Sequence, residues 1–195
     1  MYREWLGGCM THEHVHDEWL MAQVAHGQRD PLEPLVRRYA SPLLTFIHRM
    51  IGDRHRSEEL LQEVFLAVWR KRGQYQFPRP FKAWLYAIAL NKCRAAFRVR
   101  SAVAPVSLED DSPSTPIALE PSPAETAIAT ETATLVAAAV TQLPPQQRMV
   151  VVLRVWNGLL YAEIAEAVGR TETTVRSHMH HGLAALRKYL EPRLS

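Results

Sequence analysis

Five polar side chains on one face of a predicted helix could read the edges of DNA bases. Apolar residues recur at spacings of three and four between Glu172 and Tyr189, so this segment is predicted to be an amphipathic helix. Its polar face carries Thr173, Arg176, Ser177, His180 and His181. Each of these side chains donates or accepts hydrogen bonds, as a helix lying in the major groove requires.

A shorter helix precedes this one and would complete a helix-turn-helix. The first helix is predicted over Leu160 to Val168, and Gly169-Arg170-Thr171 is the predicted turn, where glycine takes a bent backbone at little cost. The predicted apolar seam consists of Ile164, Ala165 and Val168 on the first helix with Val175, Met179, Leu183 and Leu186 on the second. Helical bundles also contain such pairs, so the motif alone does not establish DNA binding.

A helix predicted from Phe81 to about Arg98 carries a second group suited to nucleic acid. At about 100° per residue, Asn91, Arg94 and Arg98 lie within roughly 60° of one another, with Trp84 beside them. Aromatic, amide and guanidinium groups in one strip could stack on unpaired bases and bind phosphate. The alternative is that Trp84 belongs to the core and the arginines form a solvated face.

The helix predicted to open at Ser57 and stop at Gly73 has an acidic outer face. Its predicted buried side consists of Leu60, Leu61, Val64, Phe65, Val68 and Trp69. Its outer face carries Glu58, Glu59, Gln62 and Glu63. Such a patch on a basic domain could bind a basic partner protein. The alternative is simple pairing with the helix dipole, because bases at 70–72 follow the acids.

Charge is divided sharply along the 195 residues. Residues 1–100 carry 16 basic and 10 acidic side chains, residues 101–142 carry six acidic and no basic ones, and residues 143–195 carry seven basic and four acidic ones. Five prolines between positions 105 and 123 predict that the acidic stretch is an extended linker. Two basic blocks on an acidic tether favour two polyanion-binding modules over one compact enzyme.

The composition argues against several classes of protein. The sequence contains no run of eighteen apolar residues, which a membrane-spanning helix would need. It also contains no basic segment followed by an apolar core, which a secretory signal would need. Cys9 and Cys93 are too few for a disulfide framework, which favours a cytoplasmic protein. No nucleophile–base set or phosphate-binding glycine loop is present, so the chain is predicted not to be an enzyme.

Near the beginning of the chain, four side chains could be interpreted as metal ligands: Cys9, His12, His14 and His16. Alternating residues scatter around a helix, and no second ligand cluster follows, so we predict no metal and no cofactor. Residues 1–17 are instead predicted to be a disordered leader, and translation could start at Met1 or at Met10.

No segment alternates as a strand does, so the predicted fold class is all-α. We expect two small helical domains over residues 18–100 and 130–195, joined by a flexible acidic linker of proline, serine and threonine over residues 101–129. Within the first domain, a further helix is predicted to start near Asp30 and to end at Gly52.

Four stretches of the chain resemble the extracytoplasmic-function class of bacterial sigma factors, in the sigma-70 family. They run from Ser57 to Trp69, from Phe81 to Lys92, from Leu143 to Arg148 and from Tyr161 to Ala165. The resemblance covers roughly residues 18–100 and 130–190, in the family's order and spacing.

The resemblance implies a role for each domain. The first is similar to region 2, which docks on the polymerase clamp and opens the minus-10 element, and the second is similar to region 4, which reads the minus-35 element. The implied polymerase-binding residues are Glu58, Glu59, Gln62 and Glu63. The implied minus-10 residues are Gln74, Tyr75, Lys82, Trp84, Asn91, Lys92, Arg94 and Arg98. The implied minus-35 residues are Arg170, Thr171, Thr173, Thr174, Arg176, Ser177, His180 and His181.

The implied partners are core RNA polymerase and promoter DNA, with an anti-sigma factor as a further candidate and no insertion into a membrane. The chain departs from the family at Leu160, where a capping Ser or Thr is usual, and at Ala95, where Asp is usual. His178 and His181 replace residues that are often basic, which leaves the promoter sequence open. A stand-alone helix-turn-helix regulator that binds operator DNA as a dimer remains the alternative, and a helical adaptor would leave both basic blocks unexplained.

Overall fold

The computed structural model describes residues 16–103 and 126–194, and every regular element in these two ranges is helical. The predicted all-α fold is confirmed. The helices are α1 (Asp17–Ala25), α2 (Leu32–Ile51), α3 (Arg54–Lys71), α4 (Phe81–Val103), α5 (Thr126–Thr141), α6 (Pro145–Val151), α7 (Tyr161–Val168) and α8 (Glu172–Leu194). The predicted leader and linker lie mostly outside the described residues. Among the helices described, none is long and apolar enough to cross a membrane.

The first four helices form one bundle, in which α2, α3 and α4 pack against one another. As predicted, α2 ends at Gly52, whose φ of 78° is left-handed. The start predicted for α3 at Ser57 is wrong, because the carboxylate of Asp53 accepts a hydrogen bond from the backbone N–H of Arg56 at 2.9 Å and caps the helix earlier. Ser57 is consequently buried within the first turns of α3.

Three residues of α3 predicted to be buried, Leu60, Val64 and Val68, are fully enclosed. The other three are half-buried at the margin of the core: Leu61, Phe65 and Trp69. Trp69 is covered by the guanidinium groups of Arg72 and Arg29, which lie 4.2 Å and 5.5 Å from its ring centroid. The aromatic ring therefore serves as a platform for cations at the end of α3.

The predicted helix-turn-helix is present as α7 and α8. Gly169 ends α7 with a left-handed φ of 67°, and the hydroxyl of Thr171 accepts a hydrogen bond from the N–H of Thr174 at the start of α8. Leu160, the residue before α7, has no side-chain oxygen and cannot cap that helix in the same way. Of the two hydrogen bonds of a capping box, α7 therefore has only the one made by the side chain of the third helical residue. In it, the Glu163 carboxylate accepts from the Leu160 N–H at 2.7 Å.

The prediction that Leu183 belongs to the apolar seam between α7 and α8 is wrong. Leu183 is 47% exposed, whereas the buried residues of α8 are Val175, Met179, Gly182 and Leu186. The buried positions of α8 are separated by four, three and four residues, so position 182 faces α6. The two helices are so close at this position that a side chain on residue 182 would clash with α6. The α6 helix continues into a π-helical turn over Val152–Trp156 that leads towards α7.

The two halves of the chain pack together. Helix α4 of the first half contacts α7 of the second, and α2 contacts α5, α6 and the π-helical turn. One continuous apolar cluster of buried residues extends through both halves. Charge and proline content predicted two modules on a tether, and no pattern in the sequence predicted this contact between them.

Candidate nucleic-acid interface

The predicted minus-35 residues lie together at the turn and along the outer side of α8. Five of them are exposed and sit on the first three turns of the helix or just before it: Arg170, Thr171, Thr173, Arg176 and Ser177. His180 and His181 are also exposed, with their rings 5.7 Å apart, and Thr174 is half-buried. The strip keeps donors and acceptors outward on a rigid helix, which is the geometry of base-edge readout in a major groove.

Arg176 is held from two sides. Its Nε and one terminal nitrogen donate to the same carboxylate oxygen of Glu172, at 3.0 and 2.5 Å. Its guanidinium also stacks on the ring of Tyr161, 4.4 Å from the centroid, while Arg154 lies over the same ring at 5.0 Å. These contacts leave the other edge of the guanidinium available for a bidentate contact to guanine. Arg176 was predicted from sequence, whereas Glu172 and Tyr161, which hold it, were not.

Two of the predicted minus-10 residues are core residues. Tyr75 and Trp84 are each 6% exposed, their rings are 5.3 Å apart, and both contact Phe81. The Tyr75 hydroxyl donates to the backbone carbonyl of Arg79 at 2.5 Å, which ties the loop over residues 74–80, between α3 and α4, to the core. Both rings are enclosed in the core, which favours the alternative interpretation of Trp84 as a core residue.

The aromatic residue that the loop does expose is Phe77, which is 55% exposed and lies between Gln76 and Pro78. Gln74 is exposed in the same loop. From sequence, Gln74 and Tyr75 were the only residues of this loop named as minus-10 residues, and Phe77 was not. Its sequence context could have indicated exposure, because Phe77 is an aromatic residue in a polar, proline-rich loop. No helical spacing of apolar residues there predicts that it is buried.

The remaining minus-10 residues divide among three surroundings. Asn91 and Arg98 are exposed on α4. Lys92 instead forms an ion pair with Glu63 of α3, with the Lys92 Nζ 2.9 Å from the carboxylate. Lys82 and Arg94 are half-buried beside the second half of the chain.

Arg94 brings the two predicted DNA-binding groups close to one another. Its guanidinium lies 3.8 Å from the sulfur of Met149, and both burial and the neighbouring charge of Arg170 lower its pKa below the usual arginine value. Arg94 belongs to the predicted minus-10 group and Arg170 to the predicted minus-35 group. At these two residues the predicted groups are close enough for their charges to interact.

The acidic face of α3 is largely neutralised by neighbours. Glu58 pairs with Arg54 at 3.3 Å, and Glu59 pairs with Arg56 at 2.6 Å. Hydrogen bonding to Lys92 is the main cause that lowers the pKa of Glu63. Two other residues on this face, Gln62 and Leu66, are exposed, and Leu66 is 54% exposed and was missed by the sequence analysis. A single exposed leucine is common on protein surfaces, so Leu66 adds apolar area to this face without by itself marking a docking surface.

Within the described ranges, no three His, Cys, Asp or Glu side chains are grouped so that they could hold a metal ion. Of the four side chains considered as ligands, Cys9, His12 and His14 lie outside those ranges, and His16 precedes α1.

Comparison with known families assigns both halves of the chain. Residues 35–103 match the model of Sigma-70 region 2, and residues 134–186 match the model of Sigma-70, region 4. The first match spans most of α2 together with α3 and α4, and the second spans the helix-turn-helix with the helices before it.

Individual sigma factors are similar over nearly the whole chain. The ECF RNA polymerase sigma factor ShbA of Streptomyces griseus is 34% identical over 190 residues, which are 94% of this chain and 95% of ShbA. The factor CarQ of Myxococcus xanthus is 31% identical over 87% of this chain and 95% of its own length. SigE of Mycolicibacterium smegmatis is 35% identical over 81% of this chain, and the match spans only 61% of that longer protein.

Two solved structures share the fold. CnrH, determined in complex with the cytosolic domain of CnrY, has a TM-score of 0.69 and 24% identity, with 90% of this chain and 97% of CnrH covered. RpoE of Bartonella quintana, determined in complex with the anti-sigma factor NepR, has a TM-score of 0.68 and 19% identity over 84% of this chain and 98% of RpoE.

Proposed function

The chain belongs to the extracytoplasmic-function family of RNA polymerase sigma factors, and we propose that it binds core RNA polymerase and directs it to specific promoters. The single observation that carries this proposal is the match of both halves to region 2 and region 4 in the family's order. A stand-alone operator-binding dimer would account for the second half alone.

We propose that the acidic side of α3 docks on the polymerase. The surface consists of the predicted residues Glu58, Glu59, Gln62 and Glu63 together with the exposed Leu66. Because the three carboxylates already pair with cationic neighbours, Gln62 and Leu66 are the side chains of this face that a partner could contact without displacing an ion pair. The apolar side chain would supply burial, and the surrounding charges would supply orientation.

We propose that the loop carrying Gln74 and Phe77, with Asn91 and Arg98 on α4, holds unpaired minus-10 bases. Phe77 offers a ring for stacking, which is worth roughly 1–3 kcal/mol per base. The exposed strip of α8, centred on Arg176, would read the bases of the minus-35 element. Arg170 and the turn would contact DNA phosphates and so position α8 on the duplex.

The chain would act by binding, with no catalytic step of its own, and in the cytoplasm where the polymerase works. Domain boundaries near residues 18–100 and 130–195, with the intervening residues as a tether, fit this role. We further propose an anti-sigma factor as a regulatory partner, as for the relative RpoE, whose structure contains one.

Co-elution with core polymerase tests the proposal. The full chain should co-elute with core enzyme on size exclusion, and a Gln62→Ala/Leu66→Ser variant should bind at least roughly tenfold more weakly, since a docking surface concentrates its energy in a few residues. Both positions are exposed, so the helix content of the variant should equal that of the wild type. A full chain that binds DNA as a dimer and never associates with the polymerase would contradict the proposal.

A further inference from the structure

The loop that carries Phe77 is held at its second end by a carboxylate from another helix. Helix α1 contributes the half-buried Glu18, whose Oε1 accepts a hydrogen bond from the backbone N–H of Phe81 at 3.1 Å. Phe81 is the first residue of α4 and directly follows the loop over residues 74–80, named here the minus-10 loop. Glu18 and Phe81 are 63 positions apart in the sequence, and Glu18 is not among the site residues that the resemblance implies.

Glu18 supplies a cap that the preceding residue of the chain cannot supply to α4. The residue before Phe81 is Pro80, whose side chain has no hydrogen-bond acceptor. The first N–H groups of a helix have no partner within the helix, and this end of the helix carries a partial positive charge. The Glu18 carboxylate satisfies one of these N–H groups and places a negative charge where the helix dipole favours it. The start of α4 therefore depends on α1.

Helix α1 is itself fixed by the residue before Glu18. The Asp17 carboxylate accepts a hydrogen bond from the Tyr39 hydroxyl at 2.5 Å and pairs with the guanidinium of Arg38, both on α2. The Tyr39 ring in turn packs edge-on against the ring of Phe81, with 5.4 Å between the centroids. The first two residues of α1 thus connect α2 with the start of α4.

The other contacts of the minus-10 loop lie within the loop. The backbone N–H of Arg79 donates to the carbonyl of Gln76 at 2.8 Å, and the Arg79 carbonyl accepts from the Tyr75 hydroxyl. Burial is the main cause that raises the pKa of this hydroxyl, and the nearby charge of Glu18 raises the pKa further, which keeps the donor protonated. The exposed Phe77 therefore lies in a segment that is held by Tyr75 on one side and by Glu18 on the other.

We propose that Glu18 is a positioning residue for the minus-10 loop: its hydrogen bond to Phe81 fixes the loop in the conformation in which Phe77 stacks on an unpaired base. This inference rests on the proposed function and deepens it. It names a residue that acts on the proposed base-binding loop through the start of α4, without touching DNA itself.

The physical reason is preorganisation. A loop that is already ordered loses less conformational entropy when it binds, so more of the stacking free energy appears as affinity. Without the Glu18 carboxylate, the Phe81 N–H loses its acceptor and the loop can sample other conformations. The apparent affinity for an unpaired base then falls with the fraction of molecules in the competent conformation. Unpaired bases exist only after strand opening, so opening should suffer more than closed-complex formation.

Hydrogen exchange in the free full chain tests the first step. Glu18→Ala should raise the exchange rate of the segment over residues 74–84 roughly two- to tenfold, the shift expected from a lost cap. Glu18→Gln keeps an oxygen acceptor in the same position and should stay within about twofold of the wild type. Unchanged exchange in Glu18→Ala would overturn the proposal, as would a Gln variant that exchanges as fast as the Ala variant.

Strand opening by holoenzyme tests the second step. On a promoter found by run-off transcription, below the unfolding temperature of each variant, permanganate reactivity would report opening and duplex binding would report closed complexes. Glu18→Ala should lower the ratio of opened to closed complexes roughly two- to tenfold, and Glu18→Gln should restore most of it.

Asp53→Ala is the matched control, because it also removes a helix cap: the Asp53 carboxylate accepts from the Arg56 N–H at the start of α3. The 18 residues of α3 place this cap roughly 27 Å from the minus-10 loop. Asp53→Ala should lower the thermal midpoint yet preserve both loop exchange and the ratio of opened to closed complexes. An equal fall of the ratio in Asp53→Ala and Glu18→Ala would overturn the positioning role in favour of general destabilisation. A wild-type chain that opens no promoter would contradict the proposed function instead, while hydrogen exchange still decides whether Glu18 holds the loop.

Discussion

Gly182 of α8 lies against Val151 of α6 so closely that a Cβ atom at position 182 would come within 2.8 Å of the Val151 Cγ2. A second contact, at 3.4 Å, would form with the Cβ of Gln147. The glycine is needed for close approach of two helices rather than for its backbone freedom. This approach sets the orientation of α8, and with it the orientation of the proposed DNA-reading strip.

We predict that Gly182→Ala destabilises the second half by roughly 1–3 kcal/mol, because overpacking forces a backbone shift. Chemical denaturation followed by circular dichroism would measure the loss. Gly73→Ala is the matched control, since no atom lies within 4 Å of a Cβ at position 73 and its φ is not left-handed. That variant should be neutral or slightly more stable. Equal midpoints for the two variants would contradict this account of the packing.

The helix-turn-helix could be predicted from sequence because its signals are local. Gly169 ends α7, and Thr171 precedes α8 at the position that accepts from the Thr174 N–H. The error at Leu183 has a different origin. Helical spacing allows either position 182 or position 183 in the seam, and only the distance to α6 decides between them. That distance is a tertiary property, which periodicity does not contain.

Phe77→Ala is predicted to reduce strand opening by polymerase holoenzyme, because it removes the exposed ring of the loop. A loss of roughly 1–3 kcal/mol corresponds to one stacked base. Permanganate reactivity of the opened strand would measure it, and closed-complex formation should change less. Equal losses in opening and in closed-complex formation would instead assign Phe77 to duplex contact.

Trp84→Ala is predicted to act on the fold. Truncation of a buried aromatic residue costs roughly 3–5 kcal/mol, so this variant should lower the thermal midpoint far more than Phe77→Ala does. A Trp84→Ala chain with wild-type stability and impaired opening would restore the original interpretation of Trp84 as a base-stacking residue.

The difference between these two aromatics was not available from sequence. Helical spacing correctly placed Trp84 on one side of α4, yet spacing does not show what covers that side. The cover is Tyr75, from a loop with no period. Likewise, Tyr86 meets Asn157 across 71 positions of chain, and no local pattern specifies such a contact.

Arg176→Lys is predicted to lose base discrimination at one minus-35 position by roughly 1–3 kcal/mol, because lysine keeps the charge and lacks the bidentate fork. Competition between duplexes with single base changes, measured on the holoenzyme, would show the loss. The dependence of DNA affinity on salt concentration should stay similar, because the charge is kept. Arg187→Lys, at an exposed position further along α8, is the control and should leave discrimination intact. Undiminished discrimination in Arg176→Lys would exclude Arg176 as a base reader.

The Glu63–Lys92 pair should make stability depend on pH in one direction. The hydrogen bond from Lys92 lowers the pKa of Glu63 in the folded state, so the pair contributes stability above the ordinary glutamate pKa of about 4.3 and loses it as the pH falls further. The thermal midpoint of Glu63→Gln should therefore lie below that of the wild type at pH 7. The two midpoints should converge as the pH falls from about 4.3, and a constant difference would contradict the assigned role of the pair.

Run-off transcription tests the central claim most directly. Core RNA polymerase from the organism that encodes the chain would be incubated with the full chain and with a library of genomic DNA fragments from the same organism. Core enzyme with the chain should yield discrete start sites that core enzyme alone does not, and the Gln62→Ala/Leu66→Ser variant should reduce them in proportion to its weaker docking. Identical transcripts with and without the chain, under conditions where it co-elutes with the polymerase, would contradict its assignment as a promoter-specificity subunit.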